Sequence, residues 1–189
     1  MSVVVAVTKR GRTCMAADTL YLTGPQKDYT ENLVGRSKIR RFGSNLIGLA
    51  GWSVYQNIFA HYLAKQRGAA LKSEEMIFEF FLRFWKTLRA RYPFVREQRE
   101  GADSPFGDLD SSFLLANRHG IFDVHGNLTV WRHREFCAIG SGSQYAYGAL
   151  HALSSRVSSA RELAEQAVLT AIRYDDGCGG PIEILDVPK

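Results

Sequence analysis

Ser2 stands directly behind Met1, and serine is small enough to permit removal of a preceding methionine. That cleavage would leave a hydroxyl and a free α-amine on one residue. The pair is a nucleophile with its own base, because an α-amine titrates at about 7.7–8.0 and is held covalently beside the hydroxyl it must deprotonate. Other hydrolytic chemistries have no anchor. There is no G-x-S-x-G elbow for a serine–histidine–acid hydrolase, and His61, His119, His125, His133 and His151 include no H-E-x-x-H pattern for a zinc hydrolase. Cys14, Cys137 and Cys178 are odd in number, far apart and without C-x-x-C spacing, so neither a disulfide framework nor a zinc ribbon is predicted.

A nucleophile at the chain terminus must be positioned by the elements that follow it. Residues 3–9 form an apolar, β-branched run, Arg10-Gly11 supplies a tight turn, and residues 12–18 continue as a second strand. Residues 19–37 read as a polar loop with Gly24-Pro25 and Gly35, leading to strands at 38–42 and 46–50. From Trp52 the period becomes helical, with Val54, Tyr55, Ile58, Phe59, Tyr62 and Leu63 on one stripe. A second helix, capped by Ser73 and opened by Glu74 and Glu75, buries Ile77, Phe80, Phe81, Phe84, Trp85 and Leu88. Residues 92–110 carry Pro, Gly and mixed charge and read as a long exposed loop. Strands follow at 111–116, 121–124, 129–131 and 136–139, then helices at 143–154 and 160–174, the last opened by the capping box from Ser159 to Glu162. Residues 181–187 alternate as a final strand. This order predicts an α+β domain spanning residues 1–189, with two antiparallel sheets stacked face to face between two helical layers.

On that frame the chain resembles the proteasome β-subunit and HslV family of N-terminal nucleophile hydrolases. The resemblance rests on six segments in order: Ser2-Val3-Val4-Val5-Ala6-Val7 with its turn, Ala16-Ala17-Asp18, Lys38-Ile39-Arg40-Arg41, Ala50-Gly51, Gly140-Ser141-Gly142-Ser143, and Asp175-Asp176-Gly177-Cys178-Gly179-Gly180. Singly, Asp18 reads as a turn acid, Lys38 as a surface charge and the Gly-Ser-Gly run as a helix-entry loop; their joint order reverses that reading. The resemblance implies a four-layer αββα sandwich in which Ser2 is the nucleophile and its own amine the base. Lys38 would favour the alkoxide, Asp18 would hold Lys38, and the Gly51 N–H would meet the oxyanion. Ser141 and Asp175 would hydrogen-bond around the amine. Backbone at Leu22 and Ser53 would grip an extended peptide as an added strand, with Tyr21 and Leu49 near an apolar specificity pocket.

The same resemblance implies two stacked homomeric rings of six or seven subunits enclosing the sites, peptides or unfolded proteins as substrates, and an ATP-dependent unfoldase as a conceivable partner. No cofactor is required for the chemistry. The backbone carbonyls of Ile172, Asp175 and Cys178, at a helix end, are candidates for a structural cation. Serine replaces the family's threonine, which removes a β-methyl that restricts χ1, and serine nucleophiles point to the betaproteobacterial branch. Cys178 stands where the proteasome pattern has serine, so a weak thiol donor replaces a good hydroxyl donor. The net charge of +5 is interleaved with acids, so a nucleic-acid partner is not expected, and no apolar stretch is long enough for a membrane span or signal peptide, which predicts a cytoplasmic protein. The competing reading is a catalytically silent ring scaffold that keeps the fold.

Overall fold

A computed structural model of the chain describes residues 1–69, 71–95 and 109–188. Strands β1 (Val4–Lys9) and β2 (Arg12–Asp18) form the N-terminal hairpin, and both turn residues, Arg10 and Gly11, have positive φ as a two-residue turn matched to strand twist requires. Two further strands, β10 (Phe136–Ile139) and β11 (Ile182–Asp186), flank this hairpin in a four-stranded antiparallel sheet of order β10-β1-β2-β11. The second sheet has five antiparallel strands: β5 (Ile39–Phe42), β6 (Asn45–Gly51), β7 (Ser111–Asn117), β8 (Gly120–Val124) and β9 (Val130–His133).

Three apolar layers hold the four structural layers together. Val4, Ala6, Met15 and Ala17 pack from the first sheet against Leu46, Leu114, Ala116 and Ile121 of the second. Val3, Val5 and Val7 face the other way, onto the alanine-rich stripe Ala160, Ala164, Ala167 and Ala171 of α4 (Ala160–Tyr174), beside α3 (Ser143–Leu153). Burial on both faces is why β1 reads as an unbroken apolar run rather than an alternating one. On the outer face of the five-stranded sheet, α1 (Ser53–Ala64) and α2 (Glu74–Arg91) build an aromatic layer in which Phe113 of β7 lies 4.9 Å from Phe59 and 4.8 Å from Phe81. Ser73 and Ser159 cap α2 and α4 as their spacing predicts, accepting from the N–H groups of Met76 and Glu162.

Two expectations need correction. The segment 19–37 is not all loop: β3 (Leu20–Thr23) and β4 (Gln26–Tyr29) form a small separate hairpin across Gly24-Pro25. Its residues are mostly polar because only Leu20 is fully buried, so no two-residue period marks it. In the segment 92–110, Leu109 is wholly buried in the aromatic layer rather than exposed, and residues 96–108 lie outside the described residues. Among the described residues, no helix is long and apolar enough to cross a membrane.

Candidate active site

Ser2 is 4% exposed and is clamped to the loop that follows β10. Its N–H, still part of the peptide bond to Met1, donates to Ser141 Oγ at 3.1 Å, and its carbonyl accepts from the Gly142 N–H at 3.2 Å. The Ser2 hydroxyl donates to the Met1 carbonyl. Glycines make this approach feasible. Gly140 has φ 97°, and a side chain there would overlap the Ser2 carbonyl; a Cβ at Gly142 would lie 2.8 Å from Cys178 Sγ and 3.1 Å from Val3 Cβ.

Asp18 closes β2 and is wholly buried. Its Oδ1 accepts from the Val3 N–H at 2.9 Å and from Lys38 Nζ at 2.7 Å, while Oδ2 accepts from the N–H groups of Gly179 at 3.1 Å and Leu20 at 3.3 Å. One carboxylate thus joins the segment that leads from Ser2 into β1, the entrance to β5 and the 178–180 turn. Lys38 is 2% exposed, and its Nζ lies 5.4 Å from the centre of the Tyr21 ring. Burial pushes the Lys38 pKa down from 10.5, and the Asp18 charge and hydrogen bond oppose that shift. Nothing in this arrangement resembles a solvated surface lysine. It holds a compact cation against an acid whose same oxygen accepts from the Val3 N–H, one residue after Ser2.

A cavity of about 570 Å³ opens beside Ser2, lined by Met1, Gly51, Gly140 and Ser141 together with Ser111 and His125 among others. Gly51 ends β6 at φ 146°, and a Cβ there would overlap the Ser111 hydroxyl. Asp175 is placed differently from expectation: its carboxylate accepts from the Gly177 N–H at 2.8 Å and the Cys178 thiol at 3.5 Å, leaving Ser141 as the side chain bonded to the Ser2 nitrogen. Burial, followed by the charges of Asp18 and Asp175, pushes the Cys178 thiol's pKa up, so it is a neutral donor. Of the three carbonyls considered for a cation, that of Asp175 already accepts the Cys178 N–H at 2.9 Å; Ile172 is the preceding turn's contribution to the same helix end.

Among the residues expected to bind a peptide, Tyr21 donates its hydroxyl to Gln56 Oε1 at 2.6 Å, which ties β3, with Leu22, to α1, which opens at Ser53. Leu49 packs inside the aromatic layer at 4% exposure, and none of these four residues lines the cavity beside Ser2.

The family model described as "Proteasome subunit" matches residues 116–187. The structure of Thiobacillus denitrificans BPH is 30% identical, covers 97% of this chain and 96% of its own, and superposes with a TM-score of 0.88. The chain belongs to the proteasome-subunit family. The Thiobacillus protein fits the betaproteobacterial branch to which the serine pointed. The same relative in complex with epoxomicin matches at 29% identity, 99% of this chain, 100% of that chain and a TM-score of 0.87. A eukaryotic HslV from Trypanosoma brucei, 18% identical over 97% of this chain and 98% of its own, shares the fold with a TM-score of 0.67. No curated protein sequence matches the chain significantly.

Within this proteasome-family chain, two cavity residues carry no sequence signal. Ser111 arrives through the pairing of β6 with β7, opposite Gly51, and its hydroxyl is buried with no hydrogen-bond partner among the described residues. His125 follows β8, stacked edge-on against Trp131 at 4.6 Å. Neither belongs to a motif, and only the strand register brings them to Ser2.

Proposed function

We propose that removal of Met1 makes this chain a self-compartmentalising peptidase that cleaves peptide bonds with the hydroxyl of Ser2. The observation that carries this reading is the buried Lys38–Asp18 pair, bonded through Asp18 to the Val3 N–H next to the nucleophile. A buried ion pair is costly to form and is weak evidence for stability alone, so a silent ring scaffold would have little use for it. In the proposed reaction the free amine of Ser2 takes the hydroxyl proton as Oγ attacks the scissile carbonyl carbon. The oxyanion forms near the Gly51 N–H, collapse expels the peptide amine with that proton, and water then hydrolyses the serine ester with the same amine as base. Lys38 lowers the energy of the developing alkoxide, Ser141 orients the amine, and Asp175 acts one step removed, through Cys178 and Gly177.

Epoxomicin bound to the Thiobacillus relative supports the assignment. Assembly into two stacked rings in the cytoplasm, with substrate fed as an extended peptide along Leu22 and Ser53, extends the same reading, as does a structural cation at the last helix end. Intact-mass analysis after exposure to epoxomicin is the direct test. One adduct per chain, mapped to an N-terminal Ser2 peptide, is expected. Chains that have lost Met1 and still take no adduct would leave the fold without the activity.

A further inference from the structure

Around the edge strands β9 and β10 of the two sheets, Asp123 of β8, His133 of β9 and Cys137 of β10 bring an oxygen, a nitrogen and a sulfur donor to within 4.8 Å of one another. We propose that these three side chains form a binding site for a divalent transition cation of the zinc class, cross-linking the two sheets. The donor set sorts by chemistry: thiolate and imidazole favour zinc over magnesium or calcium, and a carboxylate completes a borderline site. Asp123 and Cys137 are 6% and 1% exposed, whereas the His133 side chain is 24% exposed. Two ligands are therefore desolvated and held by packed strands, and the third opens to solvent.

The distances suit a metal with little rearrangement. His133 Nε2 is hydrogen-bonded to Asp123 Oδ1 at 3.0 Å, close to the separation of two ligands on one tetrahedral centre with bonds of about 2.0–2.1 Å, so a metal would take the place of the proton between them. With all three donors within 4.8 Å of one another, closing the sulfur onto the same point asks for a shift of at most about 1 Å, given a zinc–sulfur bond near 2.3 Å. An outer shell is also present. The Tyr147 hydroxyl donates to Cys137 Sγ at 3.3 Å. Partners of this kind orient ligands and tune their basicity.

His133 also lines a cavity of about 900 Å³, which gives this ligand an approach from solvent. Arg12, Arg118, Arg132 and Arg134 line the same cavity. They are exposed and screened, while the buried carboxylate and sulfur act at contact. A metal here would fasten β10, the strand that runs directly into Gly140 and Ser141.

Cobalt(II) titration of the full chain, freed of metal by a chelator, tests the site without reference to peptidase activity. One equivalent should bind with a thiolate-to-cobalt charge-transfer band and the visible bands of a four-coordinate ion, and zinc should bleach both. Cys137→Ser should abolish the charge-transfer band with circular dichroism unchanged, and His133→Gln should weaken binding at least tenfold. Absence of stoichiometric binding, or a charge-transfer band that survives Cys137→Ser, would overturn the proposal and leave the three groups as a hydrogen-bonded lock between the sheets.

Discussion

Replacing Lys38 by methionine keeps most of the aliphatic stem and removes the charge. Asp18 would lose one of four partners but keep the N–H groups of Val3, Leu20 and Gly179. Breaking a buried ion pair costs about 3–5 kcal/mol, and three remaining donors place this case near the lower bound, about 3 kcal/mol. Catalysis should suffer more visibly. Placed about 4 Å from the alkoxide, as the proposed mechanism requires, a cation at an effective dielectric near 20 contributes about 4 kcal/mol, or about three decades in rate. The assay is kcat/KM on a fluorogenic peptide, read beside thermal unfolding and particle size so that loss of fold is seen separately. Lys38→Met should fold and assemble, melt lower, and turn over about a thousandfold more slowly. Lys38→Arg should fail nearly as badly, since a planar guanidinium cannot replace a compact ammonium at 2% exposure. A well-folded Lys38→Met variant within about tenfold of the parent rate would refute the electrostatic role, because the charge supplies the whole expected effect.

Ser2→Ala should abolish peptide hydrolysis and epoxomicin adduct formation while leaving assembly intact, and Ser2→Thr should retain or raise turnover by restoring a stiffer χ1; residual wild-type rates in the alanine variant would exclude the mechanism. Gly51→Ala should lose activity and some stability, because φ 146° strains any L-residue and the added Cβ would overlap the Ser111 hydroxyl and crowd the Asp110 carbonyl and Ser111 Cα; parent-like activity and melting temperature in that variant would count against this account. Burial first, and the Asp186 charge second, push the Cys14 thiol from 9.0 up to about 12. The folded chain therefore keeps a proton that the unfolded chain releases, so this contribution to stability is complete below pH 9.0 and lost as pH rises towards 12. Alkylation of Cys14 below that window should require unfolding, and rapid native-state labelling detected by mass spectrometry would contradict it.

How legible each part was in the sequence follows from where its information lies. The N-terminal hairpin and the stripes of α1, α2 and α4 are local patterns, and β1 announces its double burial by having no polar position from Val3 to Val7. The β3–β4 hairpin was hidden because a ribbon with little core beneath it needs no apolar alternation. Asp18, Lys38, Gly51 and Ser141 were reachable only through the ordered resemblance, since each type is common and each contact spans the fold. Leu49 reaches the aromatic layer through its register on β6, opposite Phe113, and does not line the cavity beside Ser2. Ser111 and the Asp123–His133–Cys137 group depend on strand register, which no local spacing encodes.

The peptide bond between Met1 and Ser2 accounts for the geometry of the site as it stands. While that bond is intact, the Ser2 nitrogen is an amide, which has no basicity to offer, and the hydroxyl is turned toward the Met1 carbonyl. Met1 also lines the cavity and rests against Gly177, where a Cβ would meet its Sδ at 2.8 Å. One cleavage would therefore change three things together: the amide becomes an amine that titrates near neutrality, the hydroxyl loses its acceptor, and the cavity gains the volume of a methionine. The clamp on Ser2 does not depend on Met1. Gly142 holds the Ser2 carbonyl, Ser141 the nitrogen, and Asp18 the next N–H along the chain. The freed residue would thus stay in place with Ser141 already bonded to the atom that must accept the proton, so that arming the site requires no refolding of the strand that carries it.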